Sequence, residues 1–340
     1  MLYPLVFSLA LLLGACASVP EPGPAEASIA IPVAKAQTGV LASDGKLAIY
    51  RPQSDETAAT IAEKLLGDPS RAWEIDELNG SPAMLGNDPI VIPLLPVNPG
   101  GIRATHAQTV PILCYHRMGP GAGKMFVSES NFARQMEWLA TNQYRVVALK
   151  DLTAFIEGRQ ALPARSVVLT FDDGYESVYR YAFPLLKKYR FAATVFVYSD
   201  FIGASDALTW SQMQEMLASG LVDIQSHSKT HANLTEREVD EPNLRYQQRV
   251  DKEARTPREL IMRRLPQHQV VSFAFPYGDA NDVVLEAMAQ NQYRIAVTVN
   301  PGGNPFYAQP LMLRRTMIFG NHDLEAFKSR LQITRAFKSP

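Results

Sequence analysis

Cysteine is scarce: Cys16 and Cys114 are the only two in 340 residues, too few for a disulfide scaffold. Charge imbalance is also missing. The formal net charge is -1 and no block of like charge occurs, which excludes a basic nucleic-acid surface and leaves no nucleic-acid partner to expect. A substrate for such a chain is neutral, or is recognised by shape and local contacts. No apolar run approaches the roughly 20 residues needed to span a bilayer, and no internal repeat is present, so a solenoid or propeller is excluded. What remains is an ordinary globular composition, 46% apolar and 20% charged, with length enough for one large domain and a small one.

The N-terminus departs from that picture. Leu5 to Leu13 form a short apolar run suited to a signal-peptide core, although no Lys or Arg precedes it. The run ends in Leu13-Gly14-Ala15-Cys16, which resembles the lipobox of bacterial lipoproteins, where the cysteine is acylated after cleavage. The resemblance implies a signal peptide over 1–15, lipidation of Cys16 and a membrane partner reached through the lipid anchor. The alternative is an ordinary cleaved signal with a chance cysteine. Ala17, rather than Asp, follows Cys16, which by the same resemblance points to the outer membrane of a diderm bacterium, with the protein facing the periplasm or the surface. Val19 to Gln37 is rich in Pro, Ala and Glu and has no aromatic residue, so residues 16–44 read as anchor and semi-extended tether.

Residues 45–96 read as a small α+β unit. Leu47 to Tyr50 predicts a strand, and Ser54-Asp55-Glu56-Thr57 offers a cap for a helix with Ala58, Ile61, Ala62 and Leu65 on one face. A second helix carries Trp73, Ile75 and Leu78 and stops at Asn79-Gly80, and Ile90 to Pro93 closes as a strand. This strand-helix-helix-strand order resembles a LysM domain, a module that binds N-acetylglucosamine-containing glycans; an unrelated small α+β unit is the alternative. Residues 97–109, with Asn98-Pro99-Gly100-Gly101, form a linker.

From 110 to 340 apolar strands alternate with helical patterns. Strand candidates are Val110 to Cys114, Arg145 to Ala148, Val167 to Thr170, Ala193 to Val197, Val222 to Gln225, Val271 to Phe275 and Ile295 to Val299. Phe132, Met136 and Leu139 share one helical face, as do Met213, Met216 and Leu217 before Gly220. Such alternation predicts an α/β barrel or doubly wound sheet, in which chemistry gathers where strands end.

Three strand ends carry chemistry. Val167-Val168-Leu169-Thr170-Phe171 runs into Asp172-Asp173-Gly174, whose neighbouring carboxylates diverge and so face different partners; alone, Asp-Asp-Gly is a common turn. After Val222 to Ser226 come His227 and His231, four apart, which one helical turn would set on the same side to share a metal. Two His and one Asp make the three-ligand set of an open metal site. The third strand ends in Phe275-Pro276-Tyr277-Gly278, a rigid turn where a backbone N–H could face a developing oxyanion.

Taken together and in this order, the three segments make residues 110 to 337 resemble the polysaccharide deacetylase, or NodB-homology, family. The resemblance implies a distorted (β/α) barrel that removes N-acetyl groups from an amino-sugar polymer, using one divalent metal ion. It assigns Asp173, His227 and His231 as metal ligands, Asp172 as general base and the Tyr277 main-chain N–H as an oxyanion donor. Zinc is the first expectation, with cobalt, nickel or iron compatible with a two-His, one-Asp site. An amide is a poor electrophile, so the metal polarises its carbonyl and acidifies water while a free carboxylate takes the proton.

The sequence departs from the commonest family pattern at two points. Ala274 stands where many members carry an Arg, and no Leu-x-His supplies the general acid near the domain end. Ile112-Leu113-Cys114-Tyr115-His116 and the later Phe-Ala-x-Pro-Tyr-Gly resemble poly-N-acetylglucosamine deacetylases, which makes His116 the candidate acid, with His322 or a structural role as alternatives. Trp210 matches a family position lining the sugar site, and core packing accounts for it equally well. Cys114 reads as a buried strand residue. Peptidoglycan is favoured by the LysM-like unit and poly-β-1,6-N-acetylglucosamine by the motif details. A haloacid-dehalogenase-type phosphotransferase is disfavoured because it needs Asp-x-Asp. The remaining alternative is a glycan-binding envelope lipoprotein with an inactive deacetylase domain.

Overall fold

The computed structural model describes residues 38–80 and 88–337; the expected signal peptide, Cys16 and the Val19–Gln37 tether lie outside the described residues. Among the described residues no helix is long and apolar enough to cross a membrane.

The small unit packs two helices on a three-stranded antiparallel sheet. Thr57 caps the helix Ala58–Leu66 through a reciprocal pair with Thr60, and Ile61 and Ala62 face inward. The helix Ala72–Asn79 ends at Gly80 in the left-handed conformation. Leu47–Arg51 is the middle strand, flanked by Ile90–Pro93 and by a strand Gly39–Ser43 that falls within the stretch expected to be tether. Tyr50, Ile61, Ile75 and Ile92 form its core, whereas Leu78, expected on the apolar face, is exposed.

The large unit is a mixed α/β structure around one curled sheet. Five crossovers give the parallel order Ile295–Val297, Ser272–Ala274, Val222–Ser226, Ala193–Val197, Ser166–Phe171, Val110–Tyr115, with Gly303–Asn304 antiparallel at the last edge. The predicted strand at 145–148 is the short Arg145–Val146, which pairs Ser166–Phe171. Alternation along the strands sorts the side chains. Ile112, Val168, Phe196, Ala274 and Val297 fill the concave side. Leu113, Leu169, Val195, Ile224 and Phe273 face outward, under helices such as Glu129–Thr141, Trp210–Ala218 and Asn243–Arg264.

The sheet curls into a half-barrel whose two edges are bridged by one segment. Leu313 pairs in parallel with Val297 at one edge, and Thr316 and Met317 pair with Leu113 and Cys114 at the other. Residues between those pairings project alternately, so Leu313 and Arg315 both enter the concave side, Arg315 with no exposed surface. The sequence reading included no strand here.

Candidate active site

Period-two alternation brings residues of two adjacent strands to one face. Thr170 and Asp172 follow Val168 into the concavity, and Cys114 and His116 follow Ile112 on the neighbouring strand. The Cys114 thiol, which burial pushes well above its ordinary pKa, donates to Asp172 Oδ2 at 3.4 Å. Asp173 breaks the alternation with φ 73, which turns its carboxylate away from its neighbour's partners. The two carboxylates thereby acquire different surroundings.

Asp172 is gripped by Arg315, whose Nη1 and Nη2 donate to Oδ1 and Oδ2 at 2.6 and 2.7 Å. The remaining guanidinium bonds go to Thr298 O (2.9 Å) and Thr170 Oγ1 (3.2 Å), which fixes the planar group in a fully buried site. Burial by itself would raise the Asp172 pKa; the Arg315 charge, then His227, outweighs it and holds the group at about 2. Arg315 arrives from the bridging segment. Sequence reasoning missed it. The available signal was Arg314-Arg315-Thr316 interrupting the otherwise apolar Leu311 to Phe319 run.

His227 continues its strand, with its N–H donating to Val197 O at 2.8 Å. Its Nδ1 lies 2.8 Å from Ala274 O, so Nδ1 carries the hydrogen and Nε2 is left as a ligand atom. The expected helical turn between the two histidines is not formed. Residues 227–231 are a loop in which Ser228 (φ 72) and His231 (φ 63) adopt the left-handed conformation, and Ser228 Oγ accepts the His231 N–H at 2.9 Å. The loop still achieves the shared side: the two rings lie 4.8 Å apart.

Asp173 Oδ1 lies 3.4 Å from His227 Nε2 and 3.2 Å from His231 Nε2, and it is a buried atom without a hydrogen-bond partner. Ligand atoms about 2.05 Å from a tetrahedral cation stand about 3.3 Å apart. Both Asp173 separations match that spacing, and the three residues form one group able to hold a divalent metal ion. Burial opposes ionisation of Asp173, but the two imidazoles that face its carboxylate prevail and depress its pKa strongly. Cys114, His116 and Asp172 also cluster, but the guanidinium already paired with both Asp172 oxygens makes that cluster unsuited to a cation.

His116 closes the strand Val110–Tyr115 beside these carboxylates, with a buried Nδ1 that has no partner. Burial lowers its pKa, against the opposing pull of Asp172 and Asp173. His322 is turned elsewhere: its Nδ1 accepts the Phe319 N–H at 3.0 Å and its Nε2 lies 3.0 Å from Arg330. Tyr277 has φ 62 and a 62% exposed side chain whose ring meets that of His231 at 5.0 Å. Trp210 starts the helix Trp210–Ala218, packs against the core and lies 5.7 Å from the Arg264 guanidinium; no described contact ties it to the His/Asp cluster.

A cavity of about 270 Å³ opens on His116 and Asp173, lined also by Arg117, Lys124, Phe126 and Tyr175. A larger cleft, about 430 Å³, lies between the small unit and the sheet at Trp73, Glu77, Arg145 and Arg165. It contains none of the motif residues, so the chemistry selects the smaller one.

Residues 159–296 match the family described as polysaccharide deacetylase. YxkH of Bacillus subtilis, which carries a polysaccharide deacetylase name, is 30% identical over 201 residues, 59% of this chain and 68% of its own length. The poly-β-1,6-N-acetyl-D-glucosamine N-deacetylase of Staphylococcus aureus is 25% identical over 197 residues, 55% of this chain and 67% of that protein. The structure of the Streptococcus pyogenes deacetylase PplD, in complex with acetate, superimposes with a TM-score of 0.59 at 26% identity, covering 66% of this chain and 98% of that one.

Proposed function

The chain belongs to the polysaccharide deacetylase family and is a hydrolase of that kind, and from this premise we propose that it removes N-acetyl groups from N-acetylglucosamine residues of an envelope polysaccharide, releasing acetate. Poly-β-1,6-N-acetylglucosamine is the favoured polymer over peptidoglycan. The Staphylococcus aureus similarity supports that choice, as do Tyr115-His116 and the Phe-Ala-x-Pro-Tyr-Gly segment at 273–278. The observation that carries the reading is the convergence of Asp173 Oδ1, His227 Nε2 and His231 Nε2 next to an arginine-held Asp172.

A divalent cation, zinc before cobalt, nickel or iron, would polarise the acetamide carbonyl and acidify the attacking water. Asp172, kept ionised by Arg315 and outside the ligand set, takes the proton of that water. The Tyr277 main-chain N–H, at a strand end with φ 62, donates to the oxygen that gains charge. His116, beside the carboxylates, delivers a proton to the departing amine. The small unit acts as a LysM-like glycan module, and Cys16 carries the lipid that holds the protein at the outer membrane.

Acetate release from poly-β-1,6-N-acetylglucosamine, chitooligosaccharides and peptidoglycan, with and without a chelator, tests the activity. Release from none of them, with retained glycan binding, supports an inactive binder instead. For the anchor, a fatty-acid probe labels the wild-type protein and not Cys16→Ser. Unlabelled, soluble wild-type protein rejects the lipid.

A further inference from the structure

Two of the five residues in the His227–His231 loop hold a left-handed backbone without being glycine, which crowds Cβ against the following carbonyl oxygen. Such a conformation persists where surrounding groups over-determine it. His227 is anchored from the sheet, through Val197 O and Ala274 O. The second half of the loop has a different support. The backbone N–H groups of Lys229 and Thr230 both donate to Glu253 Oε2, at 3.0 and 2.9 Å, and the Thr230 hydroxyl donates to Oε1 at 2.9 Å.

Glu253 is buried on the inner face of the helix Asn243–Arg264, 7% exposed. Among the described residues its carboxylate accepts hydrogen bonds from this loop alone and takes part in no ion pair. A buried carboxylate without a counter-ion is costly to keep. Three donors from one short loop offset that cost only while the loop keeps this conformation. The carboxylate therefore specifies the loop's shape more than it contributes to general stability.

We infer that Glu253 is a positioning residue that sets His231 against Asp173, and so tunes the affinity of this site for its metal ion. The inference rests on the reading of Asp173, His227 and His231 as ligands. His231 Nε2 reaches Asp173 Oδ1 at 3.2 Å only because the chain reverses between Ser228 and His231. Without Glu253, Lys229 and Thr230 lose their backbone acceptor, the two left-handed residues relax, and the imidazole leaves the ligand position. Glutamine is a fitting replacement. Its carbonyl oxygen can accept both backbone N–H groups, and its NH₂ can donate to the Thr230 hydroxyl.

The experiment uses the full chain and zinc alone, titrated in competition with a chromophoric chelator. Glu253→Ala raises the zinc dissociation constant about 10- to 100-fold, the range typical of groups that support metal ligands, whereas Glu253→Gln stays within about threefold of wild type. Hydrogen exchange of the Lys229 and Thr230 amides, measured on metal-free protein, accelerates in the Ala variant and not in the Gln variant. Unchanged zinc affinity in Glu253→Ala, or equal losses in Ala and Gln, overturns the inference. If wild type itself binds no zinc, or His231→Ala leaves its affinity unchanged, the ligand reading fails. The exchange data then still judge whether Glu253 holds the loop.

Discussion

Arg315 and Asp172, 143 residues apart in the chain, meet as a bidentate pair with both nitrogen–oxygen distances below 2.8 Å and both side chains buried. The bridging segment that closes the sheet's two edges carries Arg315 to the end of the Ser166–Phe171 strand. Closure of the fold and orientation of the proposed base thus depend on the same five residues.

Removing the guanidinium should expose that dependence. Arg315→Met leaves Asp172 buried without its partner, a loss on the order of 3–5 kcal/mol for a pair of this type. Arg315→Lys keeps the charge but loses the fork that fixes the carboxylate plane. Chemical denaturation should find the Met variant much less stable. The Lys variant should fold yet lose about tenfold or more in turnover, because orientation is impaired. Full turnover in the Lys variant would assign Arg315 to stability alone.

The same pair gives the protein an acid-sensitive contribution. Asp172 is held at about 2 in the folded state against an ordinary 3.8. A depressed folded value means stability that is present above the unfolded pKa and lost as pH falls through the folded one. The stability gap between wild type and Asp172→Asn should therefore be full at neutral pH and shrink from about pH 4 toward about pH 2. Denaturation curves across that window check it, and a gap independent of pH would mean that Asp172 is not held ionised.

Metal content separates the two carboxylates. His227→Ala, His231→Ala and Asp173→Asn should each lose most bound metal and nearly all activity. Asp172→Asn should keep its metal and lose turnover, because only the proton acceptor is removed. Elemental analysis of the purified variants decides. Metal loss in Asp172→Asn with retention in Asp173→Asn would reverse the assignment.

His116→Ala tests the acid. Loss of a general acid costs about two to four orders of magnitude, so turnover on the amide should fall within that range while metal content and folding persist. The loss should be smaller on an activated ester, whose leaving group needs no proton. Equal losses on both substrates indicate positioning. Full amide activity would move the search to other residues, although His322 faces Phe319 and Arg330.

The strand-helix alternation, the core-facing sides of the helices and the strand-end positions of Asp172, Asp173, His227 and Tyr277 were legible because they follow from local periodicity. Short apolar runs fix a side chain's face by counting in twos, so the placement of Cys114 and His116 beside Asp172 is implicit in Ile112 to His116 once the neighbouring strand is known. The Cys114 thiol contact with Asp172 goes beyond a buried strand residue. The helical turn expected between the histidines failed because spacing of four is compatible with more than one backbone path. The left-handed conformations of Ser228 and His231 leave no mark in residue type.

By itself, then, the sequence determined which residues stand at the ends of which strands, since hydrophobic patterning acts within a few residues. The tertiary structure decided what those residues meet. Arg315 reaches Asp172 across 143 residues, Ala274 O orients His227 from the adjacent strand, and Glu253, 23 residues beyond Thr230, supports the His231 loop from the following helix. These are hydrogen bonds in buried surroundings, where direction and distance matter and neither is encoded in the local pattern. Sheet curvature and the edge-bridging segment settle them, because only a closed packing brings such distant donors and acceptors into reach.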